Sequence, residues 1–589
     1  MGAVFGILGE YDERAANHAL SLLSHRGVDS CEVIKKENLF FAHHELSATN
    51  THLLSYDGNI YNLNELKAKL SCEFDFKTQS ESEVIIAAYL KWGVGFVSHL
   101  SGMFAIAILD DDTLYLFRDR LGKKPLFYLH ESAFIFASEI KALVPFLHSI
   151  EMNEDALLSY LSYLAPTPPF TFFKNIKKLA AAEYLVFKNG KVKVERYFDL
   201  LDSVPALIKD RDEAIFLLQN ALEESINTRL CADVPIASLL SGGIDSAAIS
   251  AYAKKSGADI QTYTLGYKEF AKYDERANAA ESALLLGVKN RAIEISQKEF
   301  IESCDSVLDT LDEPINDPAS IPLSLLFRHI AQDGYKVVLS GEGSDELFLG
   351  YRQYFEFLDV QNLTNIKNKN WLSGYFHSNF SMNREWERYK RVFDGSLLFR
   401  TSGENFTDLQ KNVTMKRNVR DNESLKYIQN YRDVFEASSH SDESIWYSYI
   451  DMHIFLGEHS LSKLDRLSMA HSIETRAPFL DHKLASLVFS IDPKLRYKDG
   501  VTKSLLKSAL KPMVDEKILG RRKKGFSNPF MEYLIESKKI SLIKEVNDKT
   551  GIFKKDILNE HIKQAATGGF KQHIWGLYVL SVWLKKYLL

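Results

Sequence analysis

The stretch Ser241-Gly242-Gly243-Ile244-Asp245-Ser246 has the residue types of a phosphate cradle. It follows the apolar run 234–240 and opens a helix-like segment, 247–255. A buried strand that breaks at paired glycines into a helix aims bare N–H groups at one point, and the helix dipole adds partial positive charge there. Glycines let an anion approach the backbone, and the hydroxyls of Ser241 and Ser246 can donate to it. An acid inside an anion cradle needs a cation between it and the anion, and Asp245 with Mg2+ answers that need. The triphosphate of ATP fits this chemistry. The loop is not a Walker A loop, because no Gly-Lys-Ser/Thr follows the glycines. The bland alternative is an ordinary Ser/Gly turn with an acid near a helix start.

A second stretch follows the same logic. Residues 335–339 read as a short buried strand, and Ser340-Gly341-Glu342-Gly343-Ser344-Asp345-Glu346 comes directly after it. In an open parallel sheet, ligands bind outside the carboxyl ends of strands, so both loops can face one crevice. Asp245 and Asp345 would then share the metal ions on one nucleotide, with Ser340 and Gly341 beside it. Two such loops, each after a strand, argue against a pair of unrelated turns.

The elements that must hold these loops belong to a long chain. At 589 residues it exceeds one typical domain and predicts two or more, each able to bury a core. A hydrophobic content of 46% with 25% charged residues is that of a soluble globular protein. The formal net charge of −6 argues against a general nucleic-acid or anionic-membrane binder. Cys31, Cys72, Cys231 and Cys304 are scattered without metal or disulfide spacing. No run of about 18 apolar residues and no signal-like start is present, which makes a cytoplasmic protein the expectation.

Before residue 200 the chain alternates short β-rich runs with a few helical ones. Runs 39–42, 104–109, 113–117 and 134–137 read as strands, with a hairpin turn at 110–112. Residues 82–92 and 154–164 have helical apolar spacing. Asn189-Gly190 is a hairpin signal in the last β element before a polar stretch, so a boundary is expected near 200–210. Beyond the first glycine loop, 260–267 reads as the next strand of a doubly wound sheet and 296–311 as a helix. The turn Asp312-Glu313-Pro314-Ile315-Asn316-Asp317-Pro318 reads as a rigid ligand-side element or, equally, as a solvated loop. Lys463, Asp465 and Arg466 read as a buried charge network rather than as catalytic groups, because buried charges require partners. Residues 357–439 are aromatic, charged and weakly patterned.

The two glycine loops resemble those of the ATP-pyrophosphatase (PP-loop) fold, and the order of motifs resembles asparagine synthetase of the glutamine-hydrolysing type. The likeness includes Leu311-Asp312-Glu313-Pro314, Lys463 to Ala470, Glu474 to Asp481 and Arg521-Arg522-Lys523-Lys524-Gly525-Phe526. The first half resembles that family's N-terminal-nucleophile glutaminase through Arg26 to Asp29, Gly58-Asn59-Ile60-Tyr61-Asn62, Arg118 to Leu126 and Phe136 to Lys141. The resemblance implies an α/β protein with an Ntn-hydrolase-like αββα sandwich over 1–200. A doubly wound parallel-sheet synthetase domain with helical additions would follow over 205–589.

The resemblance also implies that the glutaminase chemistry is lost. The family's nucleophile is a cysteine at position 2, with its own α-amine as base; here the residue is Gly2, which has neither thiol nor hydroxyl. Glu45 stands where the family grips the glutamine carboxylate with an arginine. Asp57 replaces the oxyanion asparagine of Asn-Gly-Glu, Gly58 is kept, Asn59 replaces its glutamate, and Glu81 replaces an aspartate. An ionised carboxylate is not an oxyanion donor.

In the second half the resemblance implies ATP and Mg2+ as cofactors and a small-molecule carboxylate as substrate. Adenylation of that carboxylate releases pyrophosphate, and ammonia or an amine then displaces AMP. Lys523 aligns with a family lysine near the reacting centre, although a surface basic cluster is the bland fate of such a run. Glu342 matches the asparagine synthetase residue where β-lactam synthetases carry a tyrosine, which favours intermolecular attack. Aspartate is the family's default acceptor, an acidic sugar or other carboxylate metabolite the rival, and a non-catalytic scaffold the alternative from another class. A separate glutaminase and a second copy of the chain stay open as partners; nucleic acid and membrane are not expected.

Overall fold

The computed structural model describes residues 2–27, 32–43, 52–78, 80–202, 207–365, 369–379, 383–497, 500–522, 525 and 527–589. In the first half, β1 (Phe5–Leu8), β2 (Glu32–Lys36), β3 (Leu39–His43), β7 (Phe127–His130), β8 (Phe134–Ala137) and β9 (Ile176–Lys178) form one antiparallel sheet, ordered β2-β3-β1-β8-β7-β9. A second, ordered β11-β10-β6-β5-β4, contains β4 (His52–Ile60), β5 (Gly102–Asp110), β6 (Thr113–Arg118), β10 (Glu183–Lys188) and β11 (Lys191–Arg196).

Alternation along the strands explains the layers. On β5, Ala105 and Ala107 join Val4, Phe41 and Phe136 between the sheets, while Phe104, Ile106 and Ile108 face the helix Glu81–Trp92. A strand buried on both faces reads as a continuous apolar run. The helix Glu13–Ser21 packs outside the first sheet and Leu63–Leu70 outside the second, which gives the αββα order. The hairpin signals are used as read: Asp110 pairs with Thr113 and Lys188 with Lys191. Asn189 and Gly190 both have positive φ, at 50° and 71°, as the tight primed turn requires.

The second half contains a five-stranded parallel sheet, ordered β14-β13-β12-β15-β16, from β12 (Ile236–Leu239), β13 (Gln261–Tyr267), β14 (Lys289–Ile295), β15 (Val337–Leu339) and β16 (Glu474–Arg476). The helix Ile244–Lys255 packs with Arg211–Leu230 and Arg276–Leu286, and Ser320–Gln332 packs with Gln297–Thr310. Strand order runs outward in opposite directions from β12 and β15. This switch point is where an open α/β sheet binds ligands. The 357–439 stretch becomes helices, among them Arg384–Asp394 and Gln429–Ala437, and a π-helix, Met452–Leu461, precedes the helix Ser462–Met469.

The solvated-loop alternative for 312–318 is overturned. All of these residues except Asp317 are buried, and the turn is gripped from both halves of the chain. Asn316 N donates to Leu164 O, Phe172 N to Glu313 Oε2, and Lys178 Nζ to Glu313 Oε1 at 3.1 Å. Among the described residues, no helix is long and apolar enough to cross a membrane.

Candidate active site

The two glycine loops follow β12 and β15, which are neighbours in the sheet, so their ends open onto the same crevice. Gly242 has φ 79°, and a Cβ there would stand 2.9 Å from the backbone carbon of Asn278, so both backbone conformation and space call for glycine. Ser246 Oγ accepts from Ser241 N and donates to Gly243 O, both at 3.2 Å, fastening the loop to the start of its helix. Arg521 clamps it from outside: its Nη1 donates to Gly242 O (2.8 Å), Asn278 O (2.9 Å) and Ser282 Oγ (2.6 Å). The basic run therefore begins at the cradle rather than on a detached surface. Lys523 itself lies outside the described residues.

The acids converge as the spacing predicted. Ser344 Oγ donates to Asp245 Oδ1 at 2.7 Å, and Lys503 Nζ lies 2.5 Å from Asp245 Oδ1 and 2.7 Å from Asp345 Oδ1. Gly341 lets the second loop close on the first, since its Cβ would come 3.1 Å from Asp245 Cβ. A Cβ on Gly350 would meet Asp345 Oδ1 at 2.0 Å and Lys503 Cε at 2.3 Å. Ser340 is buried beneath this loop, its N–H bonded to Arg476 O. A cavity of about 220 Å³ borders the cradle, with Glu275, Lys503, Lys507 and Arg522 on its walls.

Lys503 is the site residue that sequence reasoning missed. It sits 258 positions from Asp245 and 159 from Ser344, and nothing in Val501-Thr502-Lys503-Ser504 marks it as more than the start of a helix. Its ammonium shows that the space between the two aspartates accepts a cation. Among the described residues no three His, Cys, Asp or Glu side chains gather as a metal site. Two carboxylates completed by phosphate oxygens and water suit Mg2+, which keeps much of its shell from substrate and solvent. Asp245 and Asp345 fit that role.

Glu342 is half-buried on the second loop. Burial disfavours the Lys463 ammonium beside it, but Asp317 and then Glu342 outweigh burial and raise its pKa. Lys463 pairs with Asp317; burial alone would raise that carboxyl, yet Lys463 and His459 hold it at about 2. Burial pushes Glu346 up to about 8, with Asp345 adding to the rise, and Tyr351 Oη donates to it at 2.7 Å. Lys463, Asp465 and Arg466 are all buried and partnered, as the sequence reading held.

The positions that the resemblance places around a glutaminase nucleophile lie in the first half. Gly2 is buried, and Arg26 Nε donates to its carbonyl at 3.4 Å. Asp57 has no exposed side-chain surface and pairs with Arg26 at 2.9 Å and Lys124 at 3.3 Å. Burial raises Asp57, but Lys124 and Arg26 outweigh it and hold the carboxyl below its ordinary range. Gly58 lies on β4, where a Cβ would fall 2.1 Å from Met103 O, and Asn59 pairs with Met103. Glu81 accepts from Tyr56 Oη (2.8 Å) and Ile60 N (3.1 Å) at the start of its helix. Glu45 lies outside the described residues.

Both halves of the chain are similar to known proteins. Residues 217–585 match the family model described as asparagine synthase, and 1–198 match a glutamine amidotransferase domain. The chain is 30% identical over 591 residues to asparagine synthetase [glutamine-hydrolyzing] 1 of Bacillus subtilis, covering 95% of this chain and 92% of the relative. Amidase chry2 of Gibberella zeae is 26% identical, covering 80% of this chain and 76% of its own. A solved structure titled as the allosteric regulatory enzyme of purine biosynthesis aligns at 15% identity with TM-score 0.27, over 50% of this chain and 80% of that one.

Proposed function

The chain belongs to the asparagine synthetase family of carbon–nitrogen ligases, and from that premise we propose that it adenylates a small carboxylate and passes the acyl group to ammonia or an amine without using its own first half as a glutaminase. The observation that carries the reading is the pairing of Asp245 and Asp345 across two strand ends, bridged by one cation beside the glycine cradle. ATP would lie with its phosphates over Ser241 to Ser246. Mg2+ held by the two aspartates would neutralise phosphate charge when bound.

The chain's own groups account for the rest. The cradle N–H groups and Arg521 fix the loop, which orients the α-phosphorus toward the acceptor. The carboxylate oxygen forms the new bond to phosphorus as the bond to pyrophosphate breaks. Lys503 stands where a cation can offset charge developing on that phosphorus, and Lys523 keeps its assignment by resemblance, two residues beyond the anchored Arg521. In the second step the nitrogen lone pair attacks the acyl carbon, AMP leaves with the bonding pair, and nitrogen gives up a proton. Glu342, beside Lys463, is the proposed residue facing that step.

Aspartate is the proposed acceptor, with a uronic acid or another carboxylate metabolite as the alternative; the amidase-named relative favours keeping that arm open. Loss of glutaminase activity is supported by Gly2 and by the engagement of Asp57 in ion pairs. Release of labelled pyrophosphate from ATP, screened over carboxylates with ammonium present, tests the synthetase reading. Silence with every acid favours a scaffold. Steady glutamate release from glutamine alone would overturn the loss of the glutaminase.

A further inference from the structure

Asp57 is joined to the other half of the molecule. Arg26, fully buried, reaches Asp57 at 2.9 Å with Nη2 and both Glu139 and Asp465 at 2.8 Å with Nη1. Lys124 lies between the same two aspartates, 3.3 Å from Asp57 and 3.4 Å from Asp465. Burial works against both cations, but the carboxylates outweigh it and raise both pKa values. Asp57 and Asp465 are thus held together by two shared cations.

Asp465 belongs to the helix Ser462–Met469, which faces the 311–317 turn with two further charges. Lys463 pairs with Asp317, and Arg466 Nη1 donates to Leu311 O at 2.6 Å, so the helix grips both ends of the turn. Glu342 lies within the electrostatic reach of Lys463. The connection runs from Asp57 through Arg26 and Lys124 to Asp465, and along one helix to Lys463, which feels the charge of Glu342 on the second glycine loop.

We propose that Asp57 is a positioning residue for the synthetase half. The former glutamine pocket serves as an ionic joint that sets the Ser462–Met469 helix, and through it Lys463 and the 311–317 turn, against the nucleotide loops. Glu81 provides a control in the same pocket: its hydrogen bonds, to Tyr56 and Ile60, stay within the first half, and it reaches the second only through the charges of Glu474 and Arg476, with no shared buried cation. The kinetic part of the proposal rests on the adenylation reading above; the structural part does not.

The test compares Asp57→Asn and Glu81→Gln in the full chain by amide hydrogen exchange. Asp57→Asn is expected to speed exchange at least tenfold in peptides covering 462–469 and 311–317, with β5 unchanged and affinity for Mg2+ with the non-cleavable analogue AMP-CPP within twofold. Glu81→Gln is expected to match the parent protein throughout. Pyrophosphate release with aspartate and ammonium should fall at least tenfold in Asp57→Asn alone. Should Asp57→Asn fail to fold, Lys124→Met carries the same comparison, since it leaves the three Arg26 pairs in place. Unchanged exchange at 462–469, a uniform rise over the whole chain, or the same response in Glu81→Gln overturns the proposal. If the parent protein releases no pyrophosphate with aspartate, that result bears on the functional reading, and the exchange comparison still decides this one.

Discussion

Two buried cations in this molecule each join carboxylates from separate elements, and they differ in what lies beside them. Arg26 ties Asp57 to Asp465 with side-chain exposures of 0%, 0% and 7%, and the joint is sealed. Lys503 ties Asp245 to Asp345 at exposures of 3%, 16% and 11%, and a cavity opens next to it. The same ion-pair chemistry serves two ends. Where the charges are closed off from solvent, they hold the fold together; where a cavity adjoins them, a ligand can exchange for one of the partners.

That contrast sets the expected responses, largest first. Removing Arg26 as Arg26→Ala takes away the one cation shared by three buried carboxylates, Asp57, Glu139 and Asp465, and leaves them Lys124 and Lys141. It should cost about 3–5 kcal/mol of stability, read from urea or thermal unfolding. At the open cation, Asp345→Asn should leave unfolding nearly unchanged and slow pyrophosphate release by about 10²–10³-fold, or about 3–4 kcal/mol. If Asp345→Asn instead unfolded the protein while Arg26→Ala did not, the contrast would be reversed.

Acid should act on two further ion pairs outside both of these. Burial raises Asp317 and Asp481, but Lys463 and Arg229 respectively outweigh it and hold both carboxyls at about 2, below the ordinary 3.8. A depressed carboxyl stabilises the fold fully above its unfolded pKa, and that stability is lost as pH falls through the folded value. Each should contribute about 2 kcal/mol at neutral pH that disappears between about pH 4 and pH 2, read as a falling urea midpoint. Arg521→Ala should raise the KM for ATP about tenfold, because the loop loses its outer clamp. The smallest effect is expected from Gly2→Cys, where a thiol is restored but Asp57 stays bound to Arg26 and Lys124. Glutamate release should stay at background.

The glycine loops were legible because strand, turn and helix signals sit within a few residues of one another, and parallel-sheet geometry then brings Asp245 and Asp345 together. Asn189-Gly190 was legible for the same local reason. Lys503 was not, since its role depends on a tertiary approach to residues far away in the chain. The 312–318 turn was ambiguous because its acids look solvated until the partners from the other half, Lys141 and Lys178, are known. The strand β14, Lys-Asn-Arg-Ala-Ile-Glu-Ile, hides at the edge of the sheet, where one polar face breaks the buried pattern.

The grip on the 312–318 turn has a consequence for biosynthesis. Lys178 is made early, yet its partners Glu313 and Glu458 follow 135 and 280 residues later. At roughly 5–20 residues per second, a ribosome takes about 15–60 s to deliver the second of them. For roughly the first half of that interval Lys178 has only the Pro166 carbonyl of its own half as a partner, and Glu313 and then Glu458 complete its pairing as the rest of the chain emerges.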